Sequence, residues 1–220
     1  MVEFDTDEKR ATLKVVYYGP ALSGKTTNIL RLHDRLSPES RGDLVMLDTY
    51  QDRTLFFDLL PFFMVTPDGF RLKIKVYTVP GQVRYDATRK TVLSRADGVV
   101  FVADSQISQQ HNNAESFSNL EHNCRALGMD LSSLPLVVQF NKRDLPEIVS
   151  EKEVRDRWSA VGVPILLASA FNDVGVVATF EKVMSLSYRA CDAKLRLTEE
   201  HGLTEDGLLK QLRIRNNGSA

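Results

Sequence analysis

The run Gly19-Pro20-Ala21-Leu22-Ser23-Gly24-Lys25-Thr26 has the residue types and spacing that hold a phosphate chain. In such a loop the backbone N–H groups turn inward around the phosphates, and the following helix offers its positive N-terminus. Lys25 brings a cation to the β- and γ-phosphates, Thr26 a hydroxyl to Mg²⁺, and Thr27 the next amide of the cradle. The flanks agree with this chemistry, with a β-branched and aromatic run before the loop and a helix-compatible segment after it. The bland alternative is a glycine-containing turn beside an unrelated lysine.

A second constellation is Asn141-Lys142-Arg143-Asp144, at the end of the apolar run LPLVVQFN. Four residues alone are a weak signal, and a surface Asp144 capping a helix is the competing reading. At a strand end, however, Asp144 can accept from guanine N1–H and its exocyclic amine together, a charge-assisted pair that adenine does not offer. Asn141 can bridge loops, and the aliphatic stem of Lys142 can cover the ring face. Ser169-Ala170, at the end of the next strand-like run, can offer a backbone N–H to guanine O6. Together these favour GTP over ATP.

The elements that must position these residues alternate. Strand-like runs fall at 13–18, 71–79, 98–104, 134–141 and 163–170, and helical spacing falls at 25–36, 112–127, 150–161 and 175–190. Residues 39–54 read as a loop, 82–95 as a loop leading into a helix, and LFFDLL-PFFMV as strand interrupted by Pro61. Alternation of this kind predicts an α/β domain with a mostly parallel sheet, helices on both faces and a site at the strand ends. We place the domain at 1–190 and a charged, leucine-containing extension, helical or partly ordered, at 191–220.

Composition narrows the function. A net charge of -1 gives no support for binding nucleic acid by neutralising phosphates. Cys124 and Cys191 fit no metal spacing and read as reduced thiols. The N-terminal segment has no signal-peptide core, no apolar run approaches the about 20 residues of a membrane span, and RNNGSA is no prenylation box. A cytoplasmic protein without a direct membrane anchor is expected.

The motifs YYGPALSGKTTN, DRTLFFDLLP, YTVPGQVRYDATRK, DGVVFVADSQ and FNKRDLP, from about residue 15 to 146, resemble the Ras-like small GTPases and, within them, the bacterial MglA group. The resemblance implies a P-loop NTPase of small G-protein fold that binds GTP/GDP with Mg²⁺ and hydrolyses GTP. It makes Thr54 the threonine that meets Mg²⁺ and the γ-phosphate, Gly81 and Gln82 the second switch pair, and Gln82 the residue that positions water. Arg53 becomes an internal arginine finger, a group typically worth about 10³–10⁵ in rate. Thr78 stands where most Ras-like proteins have an Asp that steadies the metal shell, and Asp58 is a candidate for the missing carboxylate or else a solvent-facing strand residue. The implied partners are a Roadblock-fold MglB-like activating dimer and polarity or motility effectors, with recruitment to a cell pole.

One departure matters for rate. Ala21 replaces a glycine usual in the group, adding a methyl near the γ-phosphate and removing a glycine-only backbone choice. It leaves two readings, slow but stimulable hydrolysis or persistent GTP occupancy. The function classes that follow are a GTPase switch for polarity and motility and a GTP-occupied scaffold that hardly hydrolyses. A P-loop kinase or ATPase is the third, opposed by the Asn141–Asp144 motif and the lack of an obvious lid.

Overall fold

A computed structural model of the protein describes residues 3–5, 9–35, 41–47, 57–82, 85–158 and 162–212. Its strands are β1 (Glu3–Asp5), β2 (Arg10–Tyr18), β3 (Val45–Leu47), β4 (Phe57–Val65), β5 (Arg71–Thr78), β6 (Gly98–Asp104), β7 (Leu136–Asn141) and β8 (Ile165–Leu167). The helices are α1 (Lys25–Arg35), α2 (Asp86–Leu93), α3 (Gln110–Ala126), α4 (Glu151–Trp158), α5 (Val176–Leu195), α6 (Leu197–His201) and α7 (Glu205–Leu212). The sheet runs β3-β4-β5-β2-β6-β7-β8, with β1 beside β2. From β5 to β8 every neighbour is parallel, while β3, β4 and β1 add antiparallel pairs. This is the α/β domain with a mostly parallel sheet expected from the alternating pattern, and the small G-protein fold that the resemblance implies.

Alternation in the strands divides two cores. Leu13, Val15, Tyr17, Phe62, Ile74 and Val102 face one side, against α1, α5 and the C-terminal helices. Val16, Tyr18, Phe101, Val138 and Phe140 face the other, against α2, α3 and α4. β6 and β7 are buried along their whole length, as central parallel strands must be.

Three sequence expectations change here. Pro61 does not break its strand: β4 runs through it, opposite Lys75 of β5. Its carbonyl accepts from Gly42 N–H, so the imide nitrogen also points away from β5 and no β5 bond is lost. The segment expected to be a loop at 39–54 contains β3, and β1 pairs with β2 although two of its three residues, Glu3 and Asp5, are acidic. The last core helix, expected over 175–190, runs as α5 to Leu195. Beyond it Leu197, Leu203, Leu208 and Leu212, on α6 and α7 or between them, enter the same core as β2 and α5.

Candidate functional site

The loop between β2 and α1 is held from both ends. The Lys25 ammonium donates to the carbonyls of Pro20 (2.6 Å) and Gly19 (3.1 Å) and is almost completely buried. At the other end Asn141 Nδ2 donates to the Ser23 carbonyl (2.8 Å), while Asn141 Oδ1 accepts from Ala170 N–H (2.8 Å). One buried amide at the tip of β7 therefore ties the phosphate loop to the loop after β8. Gly24 is required beneath it: its φ is +97°, and a Cβ there would lie 2.2 Å from Asn141 Nδ2. Behind this layer Asn28 accepts from Gln139 Nε2 (2.9 Å), which also reaches Thr179 (2.9 Å).

Ser23 Oγ is fully buried and has no hydrogen-bond partner among the described residues. Buried hydroxyls rarely stay unpaired, so a polar group arriving in the loop would find an unspent partner. Thr26 is exposed at the first turn of α1, and Thr27 is half-buried. No group of three or more His, Cys, Asp or Glu side chains gathers among the described residues to hold a metal alone. Phosphate and water supply most ligands in the usual Mg²⁺ arrangement, and the Thr26 hydroxyl would be one more.

The residues expected to read a base converge, with altered partners. Asp144 Oδ1 accepts from the Ser169 hydroxyl. Lys142, at φ 65°, pairs with Asp104 at 2.7 Å, so its ammonium is anchored at the end of β6. Ser169 N–H donates to Val174 O (3.0 Å) and Ala170 N–H to Asn141, so either amide of the pair expected to offer an N–H to guanine O6 is already engaged.

At the phosphate end, Ala21 has no positive φ, so alanine fits the backbone without strain and the conformational objection to it falls away. The position beside it, Leu22, carries the left-handed angle instead, φ 61°, with its side chain 87% exposed. Gly81 lies directly against the loop: a Cβ on it would be 2.3 Å from Ala21 Cα. Gln82 follows, with an exposed side chain, and Thr78 is buried at the end of β5. Arg53 and Thr54 lie outside the described residues. Asp58 occupies β4 opposite Met46 in register, and its side chain is also outside them.

Two supports escaped the sequence reading. Arg89 of α2 is fully buried, donating to Asn119 Oδ1 (2.7 Å), Ser116 Oγ (3.0 Å) and the Gly19 carbonyl (3.4 Å), with Tyr18 beneath its guanidinium. Asp86 accepts from Asn119 and Asn123; burial works to raise its carboxyl, but those bonds and Lys90 leave it below the usual range. The signal was the i,i+4 pair Asn119 and Asn123 on α3. The second support is on α1, where Arg31 donates to the carbonyls of Ala170 (3.3 Å) and Phe171 (2.8 Å) and Arg35 pairs with Asp173. Helix α1 thereby also holds the loop after β8.

The family model described as Ras family matches residues 14–189. The chain is also 47% identical over 186 residues to the mutual gliding-motility protein MglA of Myxococcus xanthus (strain DK1622), covering 84% of this chain and 91% of that protein.

Proposed function

The chain belongs to the Ras family and is a GTPase, and from that premise we propose that it is a nucleotide-dependent switch for cell polarity and motility. The observation that carries this reading is the pair of hydrogen bonds that Asn141 makes to Ser23 and Ala170, which makes one cleft of the phosphate loop and the base loop. Lys25, the amides of residues 21–26 and the Ser23 hydroxyl hold the phosphates, and Thr26 holds Mg²⁺, joined by Thr54. Asp144 reads guanine once Ser169 yields its bond. GTP with Mg²⁺ supplies the transferable phosphoryl group and the charge that steadies it.

The remaining work is positioning and charge neutralisation. Gln82 orients the attacking water and Arg53 answers the charge that develops in transfer. Gly81 and Gln82 are the part of the second switch that changes arrangement when the γ-phosphate is lost. A Roadblock-fold dimer of the MglB kind sets the switches for hydrolysis, and polarity or motility effectors at a cell pole read the GTP form. Residues 1–190 are the switch domain in this reading.

The test is nucleotide preference and stimulated turnover. Guanine nucleotides should bind with adenine nucleotides excluded, and a cognate Roadblock-fold dimer should raise GTP hydrolysis. Equal binding of ATP and GTP would sink the guanine assignment. Effector contacts that do not differ between GDP and GTP would sink the switch.

A further inference from the structure

The chain from Gly81 to Arg89 meets the phosphate loop at two points, one on each side of Gln82. On one side Gly81 lies against the loop backbone, where a Cβ on it would come within 2.3 Å of Ala21 Cα and 2.8 Å of the Pro20 carbonyl carbon. On the other, Arg89 Nη2 donates to the Gly19 carbonyl (3.4 Å). Between the two, the Gln82 carbonyl accepts from Tyr85 N–H (3.1 Å), which ties Gln82 to the start of α2.

Arg89 makes its contact against a high desolvation cost. Its side chain is fully buried, its Nε has no hydrogen-bond partner, and no carboxylate forms an ion pair with it among the described residues. Burial presses its pKa down, and Tyr18, Asp86 and Glu115 oppose that without pairing with it. A well-packed apolar side chain is often no worse, or better, for stability than a buried charge. What the guanidinium adds is direction. Asn119 grips the first turn of α2 with both ends of its amide, accepting from Arg89 (2.7 Å) and donating to Asp86 (2.9 Å). Ser116 accepts from Arg89 at 3.0 Å, and the Tyr18 ring lies 4.7 Å from the guanidinium carbon. The Gly19 carbonyl has a second cation on it, Lys25 at 3.1 Å.

We propose that Arg89 is a positioning residue for GTP hydrolysis that acts through Gln82, by fixing the first turn of α2 against the Gly19 carbonyl. The proposal rests on the reading in which Gln82 orients the attacking water. Lys25 is the cation that serves the phosphates in that reading. Arg89, enclosed by Ser116, Asn119 and Tyr18, is the one that keeps the carbonyl. With Gly81 on Ala21 and Arg89 on Gly19, the segment that carries Gln82 is pinned to the loop on both sides, and the side chain is aimed from a fixed base. A lysine at position 89 carries the charge but not the planar fork, so it cannot serve Gly19, Asn119 and Ser116 together. Misplacement of a reacting group by about 1 Å costs up to about 100-fold in rate.

The test is a double-mutant cycle on the full chain, with GTP turnover measured against the concentration of a cognate Roadblock-fold dimer. Arg89→Lys and Arg89→Met should each lower kcat about tenfold or more, leave the KM for the dimer unchanged, and cost at most about threefold in fluorescent-GDP affinity, because Lys25 and Asn141 still hold the loop. In a Gln82→Ala background the same changes at position 89 should lower kcat no further, since the residue through which Arg89 acts is gone. Losses that multiply across the two sites overturn the proposal, as do parent-like turnover in both Arg89 variants and a fall in GDP affinity as large as the fall in kcat. If neither variant folds in urea-unfolding controls, Arg89 is a structural residue and the proposal is overturned. Failure of the underlying reading looks different: Gln82→Ala would then turn over GTP like the parent chain, and the proposal falls with it. A slow Gln82→Ala beside parent-like Arg89 variants sinks the proposal alone.

Discussion

The phosphate loop and the C-terminal helices are both strapped to the same domain, by opposite means. The loop is fixed by polar groups, with Lys25 on two carbonyls, Asn141 on a third, and Arg89 reaching Gly19 from α2. Helices α6 and α7 are fixed by Leu197, Leu203, Leu208 and Leu212, each at most 3% exposed, with a polar clasp at the rim. That clasp joins Arg189 and Ser185 to Glu205, and the Tyr188 hydroxyl to the Leu203 carbonyl (2.5 Å). Apolar contacts reward burial without direction, whereas hydrogen bonds fix carbonyls and amides in orientation. A loop that must present amides to a ligand needs the second kind, and a brace needs only the first.

The largest expected effect falls on the brace. Leu208→Ala removes a fully buried side chain from the shared core and should cost about 2–5 kcal/mol of stability in urea unfolding. Nucleotide affinity should stay near that of the parent chain. The thiol of Cys191, on the α5 face beneath, gives a second readout: burial pushes it up to about 12, so at pH 8 it is protonated and slow to alkylate. Faster labelling of Cys191 in the variant would locate the loosening. Unchanged stability and labelling would mean that α6 and α7 brace nothing.

Asn141→Ala is the matching cut at the loop. It strands the Ser23 carbonyl and the Ala170 amide, each costing about 1–3 kcal/mol when buried without a partner. Guanine-nucleotide affinity should fall about 30-fold, measured by titration with a fluorescent GDP, and the fall should exceed that caused by Leu208→Ala. The reverse ranking would break the contrast between the two regions.

This contrast also explains what the sequence made legible. The Gly19–Thr26 loop and Asn141–Asp144 stood out as candidates because the chemistry proposed for them demands particular residues at fixed spacing. The parallel core was readable because strand and helix periods differ. Arg89 was not, since one arginine in an α2 motif looks like any solvated cation until Asn119, Ser116 and Gly19 surround it. The engagement of the Ala170 amide by Asn141, and of Lys142 by Asp104, was equally hidden, because partner choice among competing acceptors is decided by tertiary distance. Pro61 misled because its position argues against strand unless the side to which its missing N–H points is known. Leucines beyond position 190 carried a helical signal but no hint of which core they would enter.

Ala21→Gly tests the loop at a finer scale. The methyl is carried by the residue on whose backbone Gly81 closes, just before Gln82. Removing it should free that segment and raise activator-stimulated GTP turnover by about tenfold, near 1.4 kcal/mol of barrier, with little change in GDP affinity. Equal turnover would mean that the structure accommodates the methyl at no cost to rate, and would remove the persistently GTP-occupied reading.

The smallest effect belongs to the polar clasp of the brace. Hydrogen bonds from Arg189 and then Ser185 hold the Glu205 carboxyl below its usual range. A carboxylate so depressed stabilises the fold above its unfolded pKa, and the gain is lost as pH falls through the lower folded value. Arg189 is 65% and Glu205 28% exposed in this pair, so solvent screening leaves only a few tenths to about 1 kcal/mol. Glu205→Gln should therefore lower stability by that amount at pH 7, and the difference from the parent chain should shrink as the medium is acidified below the normal carboxylate range. Urea unfolding of both chains at neutral and acid pH measures it. A loss at neutral pH as large as that of Leu208→Ala would reverse the account, making the clasp rather than the leucines the hold on α6 and α7.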